Sequence, residues 1–352
     1  MQPPLDDVVV GVDTHADTHT AVAVDGLGRV LDTVQVPATA AGYRQLVRWA
    51  RGHGDLTRAG VEGTGAYGAG LARHLAAEGI EVIEVDRPNR QRRRRRGKSD
   101  PTDAEAAARA VLSGEATTVP KDRTGVVEAI RILHVTRRSA VKARTQAGNQ
   151  MKDLILTAPE PIRAKLRGLS TRQRVQVCAS WRPGTALATN PTAATRRALH
   201  DLACRWLVLH DEARMLEAQL CELLENLVPT LMAEPGVGPD SAAKLVIAAG
   251  QNPDRLRSEG AFAALCGTSP VESSSGKRTS HRLNRGGDRQ ANNAIHTVAL
   301  HRSRTCPETR AYLAKRNLDP RSTPRRARRC LKRAIARRLY HALMTDLAPL
   351  LT

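Results

Sequence analysis

Hydrophobic positions open the chain in three short β-branched runs. Val8-Val9-Val10-Gly11-Val12 leads into Asp13, a second run covers Thr18–Asp25, and a third covers residues 29–36. Asp25-Gly26-Leu27-Gly28, between the last two, is a tight-turn signal, so the stretch predicts an antiparallel meander. The period then changes. Residues 41–52 carry helical spacing, 58–62 read as a short buried strand, 67–77 as a helix ended by Gly79, and 80–85 as another strand.

Three antiparallel strands followed by helix, strand, helix and strand is the element order of an RNase H-like α/β domain, although other α/β domains share parts of it. Beyond it, Pro101 suits a first helical turn, with Asp100 as the N-cap and the Ala-rich residues 102–112 continuing the helix. Residues 125–228 place Leu and Val at three- and four-residue spacing, interrupted by Pro159, Pro161 and Pro183. Residues 201–227 carry an apolar periodicity suited to helix pairing or a short coiled coil. Pro235-Gly236-Val237-Gly238-Pro239 opens an apolar helix over residues 242–249, and residues 331–343 read as an amphipathic helix able to lie along a duplex. The Gly-Val-Gly turn is either a phosphate cradle or simply a tight turn. The expected architecture is therefore an α/β N-terminal domain over residues 1–118, a helical linker and oligomerisation region over 119–228, and a mainly α-helical C-terminal domain over 229–352.

Charge turns this architecture toward a polyanion. Lys plus Arg number 55 against 35 Asp plus Glu, a formal net charge of +20 in 352 residues, and the sequence pI is near 10.7. Nucleic acid is the natural partner for such an imbalance. No apolar run reaches the length of a membrane span and no charged-then-apolar leader opens the sequence, so the expectation is a cytoplasmic protein, nucleoid-associated when active, with no membrane partner. Aromatic residues make up 2% and Phe262 is the sole phenylalanine. Base-stacking platforms have little material, and contacts should go from arginine to phosphate. Arg92, Arg93, Arg94, Arg95 and Arg96, with Lys98 close behind, read as a solvated basic loop whose place before Asp100 suits a grip on phosphate. Lys277, Arg278 and Arg285 are further candidates for nucleic-acid contact. Six scattered cysteines without a CxxC pair read as reduced and structural.

The chemistry resides in carboxylates. Asp13 ends an apolar strand, and Glu62 ends another, followed by Gly63-Thr64-Gly65. Asp100 and Asp103 stand three apart at a helix start, where such side chains share a face and can reach one cation. Hard oxygen ligands of this kind suit Mg²⁺ or Mn²⁺, and two such ions stabilise attacking and leaving oxygens in phosphodiester transfer. Taken singly, each aspartate has a plainer account: Asp100 as a cap, Asp103 as a partner of the helix dipole, Asp13 as a turn residue. Glu62 is harder to dismiss, because a charge closing the apolar run Ala59-Gly60-Val61 is costly without a partner.

Gly11-Val12-Asp13-Thr14-His15, Val61-Glu62-Gly63-Thr64-Gly65-Ala66-Tyr67 and Ser99-Asp100-Pro101-Thr102-Asp103-Ala104 resemble the three motifs of the DEDD insertion-sequence transposases related to the Piv DNA invertase. The second half resembles that family's second domain in Pro235-Gly236-Val237-Gly238, Leu265-Cys266-Gly267-Thr268-Ser269-Pro270, Ser274-Ser275-Gly276 and Asn284-Arg285-Gly286-Gly287-Asp288. The resemblance implies a RuvC-like N-terminal domain with Asp13, Glu62, Asp100 and Asp103 as catalytic metal ligands. It also implies a nucleophilic serine before a glycine, here Ser275, with Ser274 the alternative. It further implies a structured bridge RNA joining donor and target DNA, and a homo-oligomer, dimer or tetramer, in which domains of different protomers cooperate. The function expected is a transposase or site-specific recombinase. Two other readings stand beside it: a RuvC-like structure-specific endonuclease using water, and a non-catalytic basic nucleic-acid-binding protein.

Overall fold

The computed structural model describes residues 7–85, 99–184, 190–276, 280–318 and 323–351. The chain forms two compact units, one of residues 1–124 with 250–255, the other of residues 125–249 with 256–352.

The first unit is built on a mixed five-stranded sheet of order β3-β2-β1-β4-β5. Its strands are β1 (Asp7–Thr14), β2 (Thr18–Asp25), β3 (Val30–Pro37), β4 (Asp55–Glu62) and β5 (Glu81–Val85), with helices α1 (Ala40–Arg51), α2 (Ala69–Ala77) and α3 (Asp100–Leu112) around them. The first three strands are the antiparallel meander, whereas β4 and β5 run parallel to β1. β1 and β2 are buried almost throughout because both faces of the sheet are covered. Val8, Val10 and Val12 point to one face, with Leu46, Leu71 and Leu75 of α1 and α2. Val9 points to the other, with Ala104, Ala107, Ala108 and Val111 of α3.

Two glycines decide how near α3 comes. A Cβ on Gly11 would lie 2.0 Å from the Ala104 carbonyl oxygen and 2.3 Å from the Ala108 nitrogen, and one on Gly60 would lie 2.8 Å from the Ala107 carbonyl oxygen. The bare backbone of β1 and β4 therefore lets α3 rest directly on the strands, the meaning that glycine inside a strand commonly has.

The elements arrive where the sequence pattern places them, with shifted ends. Asp100 is not the cap of α3. Ser99 is, with extended dihedrals (φ −147°, ψ 149°), and Asp100 is the first helical residue. The reason is the backbone bond from Asp103 N–H to the Ser99 carbonyl (3.0 Å), which starts the helix one residue earlier than Pro101 suggests. α2 begins at Ala69 rather than at residue 67, because residues 63–68 turn on themselves through bonds from the N–H groups of Ala66 and Gly68 to the Gly63 carbonyl.

The second unit is mainly helical. α4 (Gly125–Thr157) and α7 (Pro191–Leu227) pair along their length, with α5 (Glu160–Leu166) and α6 (Thr171–Ala179) between them in sequence. The contacts Arg137–Glu217, Arg144–His210 and Gly148–Trp206 show that the long helices run antiparallel. One end closes over Met151, Leu166, Val175 and Leu199. The other end joins a larger core made with α8 (Pro229–Met232), α9 (Pro239–Ala249), α10 (Glu259–Leu265), α11 (Arg289–Thr305) and α13 (Pro324–Leu347); α12 (Pro307–Asn317) packs against α11 and α13. The amphipathic segment predicted at residues 331–343 lies within α13, and its apolar side, Leu331, Ile335, Leu339 and Leu343, is spent on this core. A two-residue ladder, β6 (Val271–Glu272) with β7 (His281–Arg282), forms inside the polar segment near residue 275. The six cysteines are free thiols, and no described helix is long and apolar enough to cross a membrane.

Candidate active site

The alternation of side chains along β1 and β4 sets the geometry. Gly11 and Asp13 share one face of β1, and Gly60 and Glu62 share one face of β4. Val12 pairs with Val61 in parallel register, so Asp13 and Glu62 stand side by side where the strands end, on the face that α3 covers. α3 begins at this rim, bringing Asp100 and Asp103 in its first turn. Gly11 and Gly60 thus make room for the helix two positions before Asp13 and Glu62 on the same strands. Asp13 is 8% and Asp103 3% exposed, depths at which an isolated carboxylate would be costly.

His15 completes the cluster. Its Nε2 lies 3.4 Å from Asp13 Oδ2 and 3.4 Å from Asp100 Oδ1. One ligand atom each from Asp13, His15 and Asp100 fall within 4.8 Å of one another, a spacing that one cation can span. Burial pushes the Asp13 carboxyl above its ordinary value, His15 pulls it down, and the charges of Asp100 and Asp103 raise it further. Like charges crowded in a part-buried pocket are the electrostatic condition that a divalent cation relieves. His15 belongs to the first motif, yet nothing in the sequence alone distinguishes it from a polar loop residue. Its signal is its place two residues after Asp13, just past the end of β1.

The turn after Glu62 is fixed from several sides. Thr14 Oγ1 donates to the Glu62 carbonyl (2.8 Å), the buried Thr64 hydroxyl donates to Glu84 Oε1 (2.6 Å), and Arg123 donates to the Gly65 carbonyl (3.0 Å). Gly63 turns the chain with φ +71°, a conformation in which a side chain would be strained.

In the second unit the serine segment hangs beside β7. Ser273 N–H donates to the Ser280 carbonyl (2.9 Å), and Ser280 Oγ donates back to the Ser273 carbonyl (2.5 Å). Ser274 Oγ accepts from Ser280 N–H (3.2 Å). Ser275 is exposed, and Gly276 follows with φ +56°. Arg285 is also exposed, near Asp288, which caps α11 by accepting from the N–H groups of Gln290 and Ala291. Arg92, Arg93, Arg94, Arg95, Arg96, Lys98, Lys277 and Arg278 lie outside the described residues.

The Gly-Val-Gly turn leads into α9, whose first turn holds Asp240. That carboxylate takes His134 Nε2 at 3.0 Å and Lys244 Nζ at 2.5 Å, while Lys244 also donates to Asn293 Oδ1 (2.8 Å). The hydrogen bond from His134, then Lys244, holds Asp240 well below the usual carboxylate range. The start of α9 therefore carries an anion of its own.

A meander with two parallel strands added, bearing clustered acids where β1 and β4 end, defines an RNase H-like enzyme domain. A DEDD_Tnp_IS110 family profile, described as a transposase, matches residues 10–158, and that of the transposase IS116/IS110/IS902 family matches residues 228–314. No curated protein matches the chain. The chain belongs to the IS110 family of DEDD transposases, enzymes that transfer DNA strands.

Proposed function

We propose that this transposase cuts and rejoins DNA by transient covalent attachment to Ser275, assisted by divalent cations at Asp13, Glu62, Asp100 and Asp103, with a structured RNA bridging donor and target. The observation that carries the reading is the cluster of Asp13, His15 and Asp100 at the sheet rim, with the charge of Asp103 acting on Asp13 and Glu62 ending the neighbouring strand in register. A bound Mg²⁺ or Mn²⁺ would neutralise the scissile phosphate and stabilise the oxygens that enter and leave. The chain's own part is to position groups. Ser275 Oγ attacks phosphorus, a P–O bond to serine forms, one P–O ester bond of the strand breaks, and the departing oxygen receives the proton that serine loses. A hydroxyl of the second strand reverses the exchange and frees Ser275.

Ser274 Oγ is engaged as an acceptor by Ser280 N–H, whereas Ser275 is exposed. This favours Ser275 over Ser274. Assembly as a dimer or tetramer is supported by the paired helices, which leave Ile132, Val135, Val208 and Met215 between 49% and 68% exposed. The charge of +20 suits simultaneous contact with DNA and RNA.

The test is a denaturing gel of labelled element-end DNA incubated with the protein, Mg²⁺ and RNA transcribed from the DNA flanking the gene. A protease-sensitive protein–DNA species should form with the natural protein and with Ser274→Ala, and should vanish with Ser275→Ala. Cleavage that persists in Ser275→Ala without the covalent species would show that water is the nucleophile. Strand exchange without the flanking RNA would remove RNA guidance.

A further inference from the structure

In the second unit, a cavity of about 710 Å³ opens between the first turns of α13 and the segment carrying β7. Arg325 and Arg329 line it from α13, and Arg282 from β7. None of these three pairs with a carboxylate among the described residues, whereas Arg333 at the edge is engaged with Glu259. Gly267, Thr268, Ser269 and Pro270 add to the lining.

Lys332, half-buried, also lines the cavity. Its Nζ donates to Asn292 Oδ1 (2.9 Å), and Asn292 Nδ2 donates to the Cys266 carbonyl (2.6 Å), so the ammonium is held from beneath by a fixed chain of bonds. Burial pulls the Lys332 ammonium below its ordinary pKa, a cost that an anion in the cavity would offset. Ser280 belongs to the same lining, and it is the residue that holds Ser273 and Ser274 in place. One wall of the cavity therefore also supports the serine segment. The volume is that of a small-ligand site, enough for a nucleotide unit or two rather than for a duplex.

We propose that this cavity seats the sugar-phosphate backbone of a single DNA strand, gripped by Arg282, Arg325, Arg329 and Lys332, beside the serine segment. The choice of DNA over RNA rests on the reading of Ser275 as nucleophile, because Ser280 joins the cavity to the loop that would attack DNA. The grip is electrostatic and blind to sequence, since arginine and lysine here meet phosphates.

The experiment measures binding of the full-length protein to a single-stranded DNA oligonucleotide, and to RNA of the same sequence, between 50 and 200 mM salt. Each lost phosphate contact on a single strand should flatten the slope of log K against log salt by about 0.7, so the double variant R325Q/R329Q should flatten it by about 1.4 on DNA. Arg282→Gln, an exposed change on the opposite wall, should flatten it by about 0.7 and covers the case in which the double variant folds poorly. Unaltered slopes in both variants would overturn the proposal, as would flattening on RNA with none on DNA. Ser275→Ala separates this from the reading beneath it. It should lose the covalent product and keep the full slope; a covalent product that survives would refute the nucleophile and leave the strand site standing.

Discussion

At the scale of single residues, Asp13 is buried beside His15 and the charges of Asp100 and Asp103. Asp13→Asn or Glu62→Gln should cut strand transfer by on the order of 10²-fold or more while DNA binding persists, as assayed by product formation alongside a mobility shift. His15→Ala should raise the Mg²⁺ concentration needed for half-maximal activity by about 10-fold or more, the scale expected of a group that orients metal ligands. Asp240 gives a prediction about stability. Its carboxyl is depressed in the folded protein by His134 and Lys244, so its contribution is full above the unfolded value, near pH 4, and is lost as pH falls through the folded value. Lys244 is buried, whereas the Asp240 side chain is 41% exposed and solvent screens it. Asp240→Asn should therefore lower unfolding free energy at pH 7 by about 1–3 kcal/mol. In urea titrations the gap to the natural protein should narrow below pH 4.

At the scale of elements, the link between glycine and acid governs the site. Gly11→Ala forces α3 off β1, because the new methyl would meet the Ala104 carbonyl and the Ala108 nitrogen. Overpacking of this kind costs about 1–3 kcal/mol, and the displaced helix takes Asp100 and Asp103 with it. Transfer should fall more steeply than a thermal melt indicates, and a variant whose melting and activity decline only slightly would refute the tie. The near-continuous apolar runs of β1 and β2 and the short one that ends β4 made these strands legible, because strands covered on both faces are apolar almost throughout. The acids were legible as strand ends and a helix start. What stayed hidden depends on contact between distant segments: the seat of α3 on two glycines, the approach of His15 to Asp100, and the first-turn Asp240 bound by His134 from another helix. β6 and β7, at two residues each, are too short for any period to show.

At the scale of the whole molecule, both units carry groups that the proposed reaction needs: the acids in one and Ser275 in the other. If protomers share their groups, equal amounts of Asp13→Asn and Ser275→Ala proteins, each inactive alone, should recover part of the natural strand-exchange yield when mixed. Activity that stays absent in the mixture, with hetero-assembly shown by size-exclusion chromatography of differently tagged chains, would confine the chemistry to single protomers.

The antiparallel pair α4 and α7, of 33 and 37 residues, spans about 50 Å at 1.5 Å per residue. It behaves as a strut with a small core at one end and the larger core at the other. Arg137 meets Glu217 and Arg144 meets His210, so facing residue numbers along the strut sum to one constant. Excising residues 138–144 together with 210–216 would remove about two turns from both rods at once, preserve which faces meet, and draw the two cores about 10 Å closer. The strut is thus a graduated ruler, adjustable in steps of a heptad, by which the reach of this transposase can be set without rewriting either core.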